Sequence, residues 1–504
     1  MEFKVIKSNA ADVKCDMLVV SCTQKVKDKD DKGIAVLSKE GAELDKKLNG
    51  LLSQVIKAET FRGEAATAKL IHAGGLIPAK AVLLVGLGKL SDYNLNVVRK
   101  VGAKVAAAAN EMKAKTAVAS PLPQAIKGCS PDERVEAFVQ GAILGSYKFE
   151  RYKDKKELEP DTLETVFFSF KGNSLKLDAA IKRAVVISEA VSLVRDLVNT
   201  PAKDMTPEIL AKRARDVASA GKLSCKVLGK KELEAEKMNL ILAVAKGSEY
   251  EPRFVHMHYR PTGKAKAKIA LIGKGITFDS GGYNLKPGRY MLTMKNDMAG
   301  AATCIAVMKV LSVFKPHAEI DAYLPLCDNM IDGKAEVPGN IIKSRNGKTV
   351  ELINMDCEGR LVLADAISYA LDKKPDYIID LATLTGGVLY ALGEIYTAVL
   401  GNDQKFIDRY LAASRAENEH AWQLPLEKEY KKDASDGPAD LKNSLKTKAD
   451  TIGGALFLHE FVGDTKWVHL DIAESAWSEE DKDFITKGGT GTTVRTLVRL
   501  LMSM

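Results

Sequence analysis

The chain has 504 residues, of which 46% are hydrophobic and 28% charged, and it carries a formal net charge of +8. This length predicts two or more domains, and this composition is typical of an ordinary soluble globular protein. The seven cysteines are scattered and form no Cys-x-x-Cys pair, which argues against a disulfide framework or a thiolate zinc site.

The chain start and the charge distribution bear on location and partners. Residues 1–7 lack the apolar run of a signal peptide, and no later apolar stretch approaches the length of a membrane span. We therefore expect a cytoplasmic protein without a membrane partner. The positive excess forms no strong patch in the sequence, so nucleic acid is a possible partner that no recognition motif indicates.

Residues 1–170 alternate between patterns typical of strands and helices. Four apolar runs predict strands and one longer apolar pattern predicts a helix: Met17–Val20, Ala66–Ile71, Ala81–Val85, Thr165–Phe170 and Leu95–Met112, respectively. This alternation is typical of a compact α/β domain. We expect this smaller domain to end near residue 170.

Residues 171–504 predict a larger α/β domain with a central mixed sheet flanked by helices. Its first helix, Asp178–Val198, is stopped by Pro201, and the next begins at Thr206 as the N-cap with Pro207 at the first helical position. Strands are then predicted at Lys268–Gly273, Ile320–Leu326, Thr349–Ile353, Tyr377–Leu381 and Trp467–Ile472. Helices are predicted at Ala299–Phe314 (amphipathic), Leu361–Leu371, 404–417 and 453–462.

Two glycine-rich turns of the larger domain concentrate acidic and basic side chains. The first spans Gly273–Pro287 with an extension at Met294–Gly300, and the second is Asn354–Leu361. Together they contain four carboxylates and four basic groups: Asp279, Asp297, Asp356 and Glu358, with Lys274, Lys286, Lys295 and Arg360. Both turns follow predicted strands, and ligands of open α/β sheets bind beyond the carboxyl ends of strands.

Carboxylates gathered this closely repel one another unless positive charge lies among them. Two divalent cations would balance the four acidic groups, and an oxygen-rich cluster suits hard or borderline metals. Ordinary turn or helix-capping roles would explain any one acidic residue, but not the lysines and arginine beside them. The two turns therefore predict a two-metal hydrolytic site.

The block Asn354–Leu361 resembles the signature Asn-Thr-Asp-Ala-Glu-Gly-Arg-Leu of the leucyl (cytosol) aminopeptidase family, with Met355 and Cys357 as departures. Further departures are Ala299 and the pair Tyr283 and Asn284. The resemblance implies a non-catalytic, macro-domain-like domain over residues 1–170 and a catalytic domain over residues 171–504. It also implies a homohexamer.

Carried over position by position, the resemblance implies site residues in three groups. The metal ligands would be Lys274, Asp279, Asp297, Asp356 and Glu358, and the catalytic pair Lys286 and Arg360. The substrate would contact Lys286 and a side-chain pocket lined by Met294, Thr383, Gly386 and, as a further candidate, Ala473. The implied cofactors are two divalent ions per subunit, Mn²⁺ or Zn²⁺ with Mg²⁺ as an alternative, and a bicarbonate ion held by Arg360 as the general base.

Neither turn contains a histidine, so the nitrogen ligand would be a lysine, Lys274, that has lost its proton next to a divalent ion. Lys286 would stay protonated and stabilise the oxyanion that forms when a metal-activated water attacks the scissile carbonyl. The second metal would take the free α-amino group of the substrate. The predicted activity is release of N-terminal residues, leucine-like ones preferred, from peptides.

Two other functions are alternatives to this one. Ser280 lies in an Asp-Ser-Gly-Gly sequence similar to the surroundings of a trypsin-like nucleophile, but that class needs a β-barrel and a positioned histidine. The chain could also be a DNA-binding or regulatory scaffold with a spent active site. Seven intact functional positions argue against loss of catalysis, although they leave room for a second role.

Overall fold

The computed structural model describes residues 1–26, 33–120, 129–432 and 436–504. They form two compact units, one of residues 1–189 with 481–486 and one of residues 190–480 with 487–504. The boundary at Glu189 falls within a long helix, Ser174–Asn199. Each unit contains its own mixed sheet with helices, so the predicted two-domain α/β class is confirmed.

The first unit is built on a mixed sheet of strand order β1-β7-β6-β2-β5-β4, with β3 paired to β2. Its elements are β1 (Glu2–Ile6), β2 (Met17–Lys25), β3 (Ile34–Leu37), α1 (Lys39–Lys47), α2 (Leu51–Ala58), β4 (Ala68–His72), β5 (Ala81–Gly86), α3 (Leu95–Glu111), β6 (Thr116–Ala119), α4 (Pro131–Gly145) and β7 (Thr165–Ser169). Strand β2 shows why two helical layers form. Met17 packs in the core with α3 and α4, whereas its neighbour Leu18 packs with α1 and α2, because successive side chains point to opposite faces.

Asp16 joins two strands of this unit through its carboxylate. Its Oδ2 accepts bonds from the backbone N–H groups of Lys115 and Thr116, both at 2.9 Å, and its Oδ1 lies 2.6 Å from Lys80 Nζ. Burial raises the pKa of Asp16, but these hydrogen bonds outweigh it and lower the pKa to about 2. The ionised carboxylate is therefore the form that stabilises the fold.

We expect Asp16→Asn to lower the thermal midpoint at pH 7. Because the folded pKa lies below the ordinary value of 3.8, the stabilisation is present above that value and is lost as pH falls towards about 2. In thermal melts of both proteins from pH 7 to pH 3, the difference between the two midpoints should therefore narrow towards the acid end. The control is Asp12→Asn, because Asp12 forms an exposed ion pair with Lys47. Its thermal midpoint should differ little from that of the wild type. A gap that stays constant with pH would contradict the prediction.

The second unit is built on a mixed sheet of order β17-β16-β19-β15-β10-β12-β9-β8, with β11 paired to β12. After α5 (Ser174–Asn199) come α6 (Pro207–Gly221), β8 (Ser224–Leu228), α7 (Lys230–Ala235), α8 (Asn239–Ala245), β9 (Arg253–Tyr259), β10 (Lys268–Gly273), β11 (Gly275–Asp279), α9 (Gly288–Met291), α10 (Ala299–Phe314), β12 (Glu319–Asn329), β13 (Ile341–Lys343), β14 (Thr349–Glu351), α11 (Glu358–Ala370), β15 (Tyr377–Ala382), α12 (Gly387–Leu392), β16 (Thr397–Gly401), α13 (Gln404–Glu417), β17 (Ala421–Gln423), β18 (Leu441–Lys442), α14 (Asp450–Val462), β19 (Lys466–Asp471), β20 (Trp477–Ser478), β21 (Gly488–Gly489) and α15 (Val494–Met502). The centre of the sheet is parallel, since β10 pairs in parallel with both β12 and β15, and β15 with β19.

The predicted strands and helices of this unit are confirmed, with three differences near the acidic turns. Strand β11 was not predicted, because it follows β10 after the single residue Lys274. Helix α11 begins at Glu358 rather than Leu361, so Glu358 and Arg360 lie in its first turn. Strand β14 belongs to a small sheet of order β13-β14-β18 rather than to the main sheet.

Helix α10 was predicted to be amphipathic, but it is buried on nearly all sides from Ala299 to Leu311. Among the residues described, the helical stretch Met294–Phe314 is the one long and apolar enough to span a membrane by composition, and 78% of its apolar window is buried inside the protein. Burial of this extent is typical of the core helix of a sheet-based domain. Helix α10 therefore positions the site from within the core.

Candidate active site

The two acidic turns come together at the carboxyl end of the main sheet. Lys274 directly follows β10, Asp279 is the last residue of β11, and Asp297 precedes α10. The backbone N–H of Lys274 donates to the carbonyl of Leu381 on β15 at 3.1 Å. Glu358 reaches the same place from the first turn of α11.

Lys274 is buried among oxygen atoms. Its Nζ lies 2.8 Å from Asp297 Oδ1, 2.8 Å from Glu358 Oε1 and 2.8 Å from the backbone carbonyl of Thr383. Its side chain is 3% exposed. Thr383 also donates its hydroxyl to Asp297 Oδ1 at 2.7 Å. The structure thus joins residues from three separate segments around one lysine nitrogen.

Lys286 bridges the remaining two acidic residues. Its Nζ lies 2.9 Å from Asp279 Oδ2 and 2.5 Å from Asp356 Oδ1. Its side chain is 15% exposed, so this lysine is more accessible than Lys274. Ligand-capable oxygens of Asp279, Asp356 and Glu358 all lie within 4.8 Å of one another. The structure therefore brings the four carboxylates and both predicted functional lysines into one cluster.

The charges of the cluster do not cancel. Burial raises the pKa of Asp297, of Glu358 and of Asp356, the last to about 7, while the nearby lysines oppose these shifts. Burial lowers the pKa of Lys274 and of Lys286, but the surrounding carboxylates outweigh it and raise both above their ordinary value. Four carboxylates against two ammonium groups leave an excess of negative charge in a buried place.

Two buried oxygens of the cluster, Asp297 Oδ2 and Glu358 Oε2, have no hydrogen-bond partner among the described residues. Leaving a buried carboxylate oxygen unpaired costs about 1–3 kcal/mol or more, so such atoms indicate a missing partner. Excess negative charge, unpaired oxygens and a donor set of carboxylates with one lysine fit divalent cations. The residues present therefore suit the two predicted metal ions.

Close packing explains two glycines of the motifs. A Cβ on Gly359 would lie 2.6 Å from Lys274 Cε and 2.8 Å from its Nζ, so a larger residue would displace that lysine. Gly281 has φ +85°, and a Cβ there would lie 2.9 Å from Asp356 Oδ1. Both positions need glycine because functional side chains pass next to the backbone.

Arg360 is buried beside the cluster. Its Nη1 donates to the carbonyl of Asn443 at 2.8 Å, and its Nη2 lies 3.5 Å from Asp450 Oδ1, while its side chain is 3% exposed. Its Nε has no hydrogen-bond partner within the described residues. Burial lowers the pKa of Arg360, but Cys357 and Asp450 raise it above its ordinary value. A buried cation with a spare donor suits a small anion.

The predicted pocket residues lie on the segments that build the cluster. Met294 starts the turn that leads to Asp297, and Thr383 contacts Asp297 directly. A Cβ added to Gly386 would meet no atom within 4 Å, so open space lies beside it. The backbone N–H of Ala473 bonds to Asp471 on β19 at 3.2 Å. Their pocket role stays a prediction.

Sequence reasoning missed two asparagines that join the turns. Asn329, the last residue of β12, donates through Nδ2 to Asp279 Oδ1 at 2.8 Å and to the carbonyl of Met355 at 3.0 Å. Asn284 accepts the backbone N–H of Met355 at 2.8 Å through its Oδ1. Asn284 stood out only as a departure from the family pattern. No motif in the sequence around Asn329 indicates its role. The role appears only in the fold, because β12 lies beside β11 and brings Asn329 next to Asp279.

Ser280 is not arranged as a nucleophile. Its hydroxyl donates to the carbonyl of Asn329 at 2.8 Å and accepts the N–H of Gly282 at 3.2 Å. These contacts are with backbone groups, and Ser280 belongs to the turn that holds Asp279. A trypsin-like serine nucleophile requires a histidine base at its oxygen, so this geometry disfavours the serine-hydrolase alternative.

Clustered carboxylates with a lysine at the carboxyl end of a mixed sheet fit the class of metal-dependent hydrolases. The model for the cytosol aminopeptidase family, catalytic domain, matches residues 192–498, and the model for the N-terminal domain of that family matches residues 20–156. The chain therefore belongs to the cytosol aminopeptidase family. It is an aminopeptidase, and the resemblance found in the sequence is confirmed.

Relatives and solved structures agree over nearly the whole chain. The probable cytosol aminopeptidase of Alkaliphilus metalliredigens is 38% identical over 507 residues, which cover 100% of this chain and 100% of the relative. That of Aquifex aeolicus is 38% identical over 480 residues, which cover 94% of this chain and 96% of the relative. A mutant of tomato leucine aminopeptidase has a TM-score of 0.89 at 32% identity, covering 100% of this chain and 97% of its own. The bottromycin maturation enzyme BotP in complex with Mn has a TM-score of 0.84 at 30% identity. The match covers 97% of this chain and 99% of the BotP chain.

Proposed function

We propose that this aminopeptidase uses two divalent metal ions to release N-terminal residues, leucine-like ones preferred, from peptides with a free N-terminus. The observation that carries the proposal is the buried cluster in which Asp297 and Glu358 each keep an unpaired oxygen. Buried carboxylates are stable in a folded protein when cations compensate their charge or protons neutralise it, and bound cations would also give the unpaired oxygens a partner. The two lysines compensate half of the four acidic groups.

The proposed metal ligands are the five residues already predicted: Lys274, Asp279, Asp297, Asp356 and Glu358. The ions would be Mn²⁺ or Zn²⁺, with Mg²⁺ as an alternative, and BotP is a related enzyme described with Mn. When bound, two such ions supply the positive charge that activates water at neutral pH and polarises the scissile carbonyl. Lys274 would then bind through a neutral nitrogen, because an ion at that nitrogen replaces its proton.

Lys286 is proposed to remain an ammonium group and to donate a hydrogen bond to the oxyanion of the reacting carbonyl. Its position supports this role, because it borders both Asp279 and Asp356 and its side chain is partly exposed. Divalent ions bound to those carboxylates would release the ammonium group from its two ion pairs. It could then turn towards a substrate oxygen without leaving the cluster.

Arg360 is proposed to bind the bicarbonate ion that the family resemblance implies. Its buried Nε without a partner in the described residues, and its long 3.5 Å contact to Asp450, leave donors for a planar anion. Met294, Thr383, Gly386 and Ala473 are proposed to line the pocket for the substrate side chain. An apolar pocket wall containing methionine suits leucine-like groups.

The domain division, the oligomeric state and the location of the protein are also proposals. Residues 1–170 would form the non-catalytic domain and residues 171–504 the catalytic one, in a homohexamer located in the cytoplasm. A DNA-binding or regulatory role would be additional to catalysis. Peptides with a free N-terminus are the proposed substrates.

Hydrolysis of leucine p-nitroanilide, with and without a chelator and with a serine-directed inhibitor, tests the metal proposal. We expect cleavage that the chelator abolishes, that Mn²⁺ or Zn²⁺ restores and that the inhibitor leaves unchanged. Cleavage that resists the chelator but not the inhibitor would instead support the nucleophile Ser280. N-acetyl-leucine p-nitroanilide should not be cleaved, because its amide nitrogen is no metal ligand. Equal cleavage of blocked and free substrates would refute the exopeptidase proposal.

Gly359→Ala should abolish most activity and release metal, because the new methyl group would occupy the space of the Lys274 side chain. The matched control is Gly288→Ala in the same unit, where a Cβ would meet no atom within 4 Å. Metal content by elemental analysis and the rate of leucine p-nitroanilide cleavage should change in the first variant only. Full metal content and normal turnover in Gly359→Ala would show that Lys274 tolerates displacement.

A further inference from the structure

A fully buried carboxylate, Asp471, lies at the end of β19, beside the loop that follows β15. Its Oδ1 accepts the backbone N–H groups of Leu384 at 3.1 Å, Thr385 at 3.5 Å and Ala473 at 3.2 Å. Its Oδ2 accepts the hydroxyl of Thr385 at 2.6 Å. One side chain therefore satisfies four donors from two separate segments.

The hydroxyl of Thr385 extends this network to helix α14. Its oxygen lies 2.8 Å from the hydroxyl oxygen of Thr451, and both residues are buried. Because Thr385 gives its proton to Asp471, Thr451 must be the donor in the second bond. The loop is thus held by Asp471 on one side and by α14 on the other.

The same loop holds the predicted metal site at its other end. The carbonyl of Thr383 accepts Lys274 Nζ at 2.8 Å, and the hydroxyl of Thr383 donates to Asp297 Oδ1 at 2.7 Å. Thr383 is followed directly by Leu384 and Thr385, which Asp471 binds. A short chain of covalent and hydrogen bonds therefore leads from Asp471 to two predicted metal ligands.

We propose that Asp471 is a positioning residue that fixes residues 383–386, so that Thr383 can hold Lys274 and Asp297 in place for metal binding. Because Thr383, Gly386 and Ala473 are also the proposed pocket residues, Asp471 sets the shape of that pocket from behind. The pocket part of this inference rests on the proposed function. Asp471 acts through its bonds to Leu384, Thr385 and Ala473.

A carboxylate suits this position better than an amide. Three N–H groups and one hydroxyl converge on its two oxygens, and an asparagine offers only one acceptor oxygen. His469, two residues earlier on β19, lies within electrostatic range. Burial lowers the pKa of His469, but Asp380 and Asp471 outweigh it and raise the pKa, which favours an imidazolium that balances the buried charge.

The test compares Asp471→Asn with Asp380→Asn. Asp380 is an equally buried carboxylate on the adjacent strand β15, but it bonds to His469 and Trp467 rather than to the loop. Both variants should lower the thermal midpoint. Asp471→Asn alone should weaken metal affinity, measured by dialysis against a chelator, by about 10–100-fold, the range for residues that orient metal ligands. It should also lower the ratio of kcat/KM for leucyl over alanyl p-nitroanilide.

A second pair of variants keeps the test decisive if Asp471→Asn fails to fold. Thr385→Val removes the hydroxyl that bonds to Asp471, and Thr385→Ser retains it, so metal retention should fall in the first and be preserved in the second. Equal metal retention and equal selectivity in all variants, despite lower thermal midpoints, would show that Asp471 is merely structural. If the wild-type chain binds metal but cleaves no aminoacyl substrate, the proposed function fails, while metal retention still tests Asp471.

Discussion

Lys286→Ala is expected to lower kcat by roughly 10²–10³-fold, the range for losing one oxyanion donor, with both metal ions still bound. The lysine contacts Asp279 and Asp356 through its Nζ and contributes no ligand atom in the proposed site. Its removal therefore takes away a positive charge from the reacting carbonyl but leaves the oxygens for the cations. KM should change less than kcat, because the lost interaction strengthens only in the transition state.

The measurement is kcat and KM for leucine p-nitroanilide beside metal content by elemental analysis. Lys295→Ala is the matched control, because Lys295 lies in the same segment but its Nζ donates to the backbone carbonyl of Asn199 at 2.9 Å. That variant should keep a kcat close to wild type. Loss of metal from Lys286→Ala would mean that this lysine holds the cluster together rather than acting on the substrate.

Lys274→Arg should abolish activity and also release metal. An arginine stays protonated in proteins, so it cannot become the neutral nitrogen ligand that the site needs. Its larger head group would also have to fit where Lys274 is enclosed by Asp297, Glu358 and Gly359. We therefore expect loss of metal together with loss of turnover, unlike the result for Lys286→Ala.

Elemental analysis after dialysis distinguishes the two lysines, and circular dichroism checks that each variant is folded. Metal retained in Lys274→Arg but lost in Lys286→Ala would reverse the assigned roles. Retention in both variants would remove Lys274 from the ligand set. The pair of results is more informative than either alone, because both lysines lie in the same acidic cluster.

Much of this site could be predicted because its residues lie in two short motifs. Gly273–Pro287 and Asn354–Leu361 each combine glycines with charged residues, and that combination is visible without a fold. Strand β10 was predictable from its continuous apolar run, as expected for a strand buried on both faces. The sequence also showed that Pro207 follows the N-cap Thr206 of α6, which the structure confirms.

What could not be predicted depends on contacts between distant segments. Asn329 and Asp471 each end a strand, and neither differs from a turn residue until the sheet places it beside the site. The sequence pattern predicts that α11 starts at Leu361, because Glu358 reads as part of the preceding turn, but the helix begins at Glu358. An acidic side chain in the first turn is favoured by the helix dipole, so Glu358 can both begin the helix and face the site.

The site is assembled across two of the three sheets that the described residues of the second unit form. Asp279 arrives on the main sheet through β11, whereas Asp356 follows β14 of the small sheet, and Asn329 and Asn284 bond across the gap to Met355. A chain still being synthesised or only partly folded therefore presents scattered acidic residues and no assembled centre. The centre therefore assembles only with the completed tertiary structure of the unit.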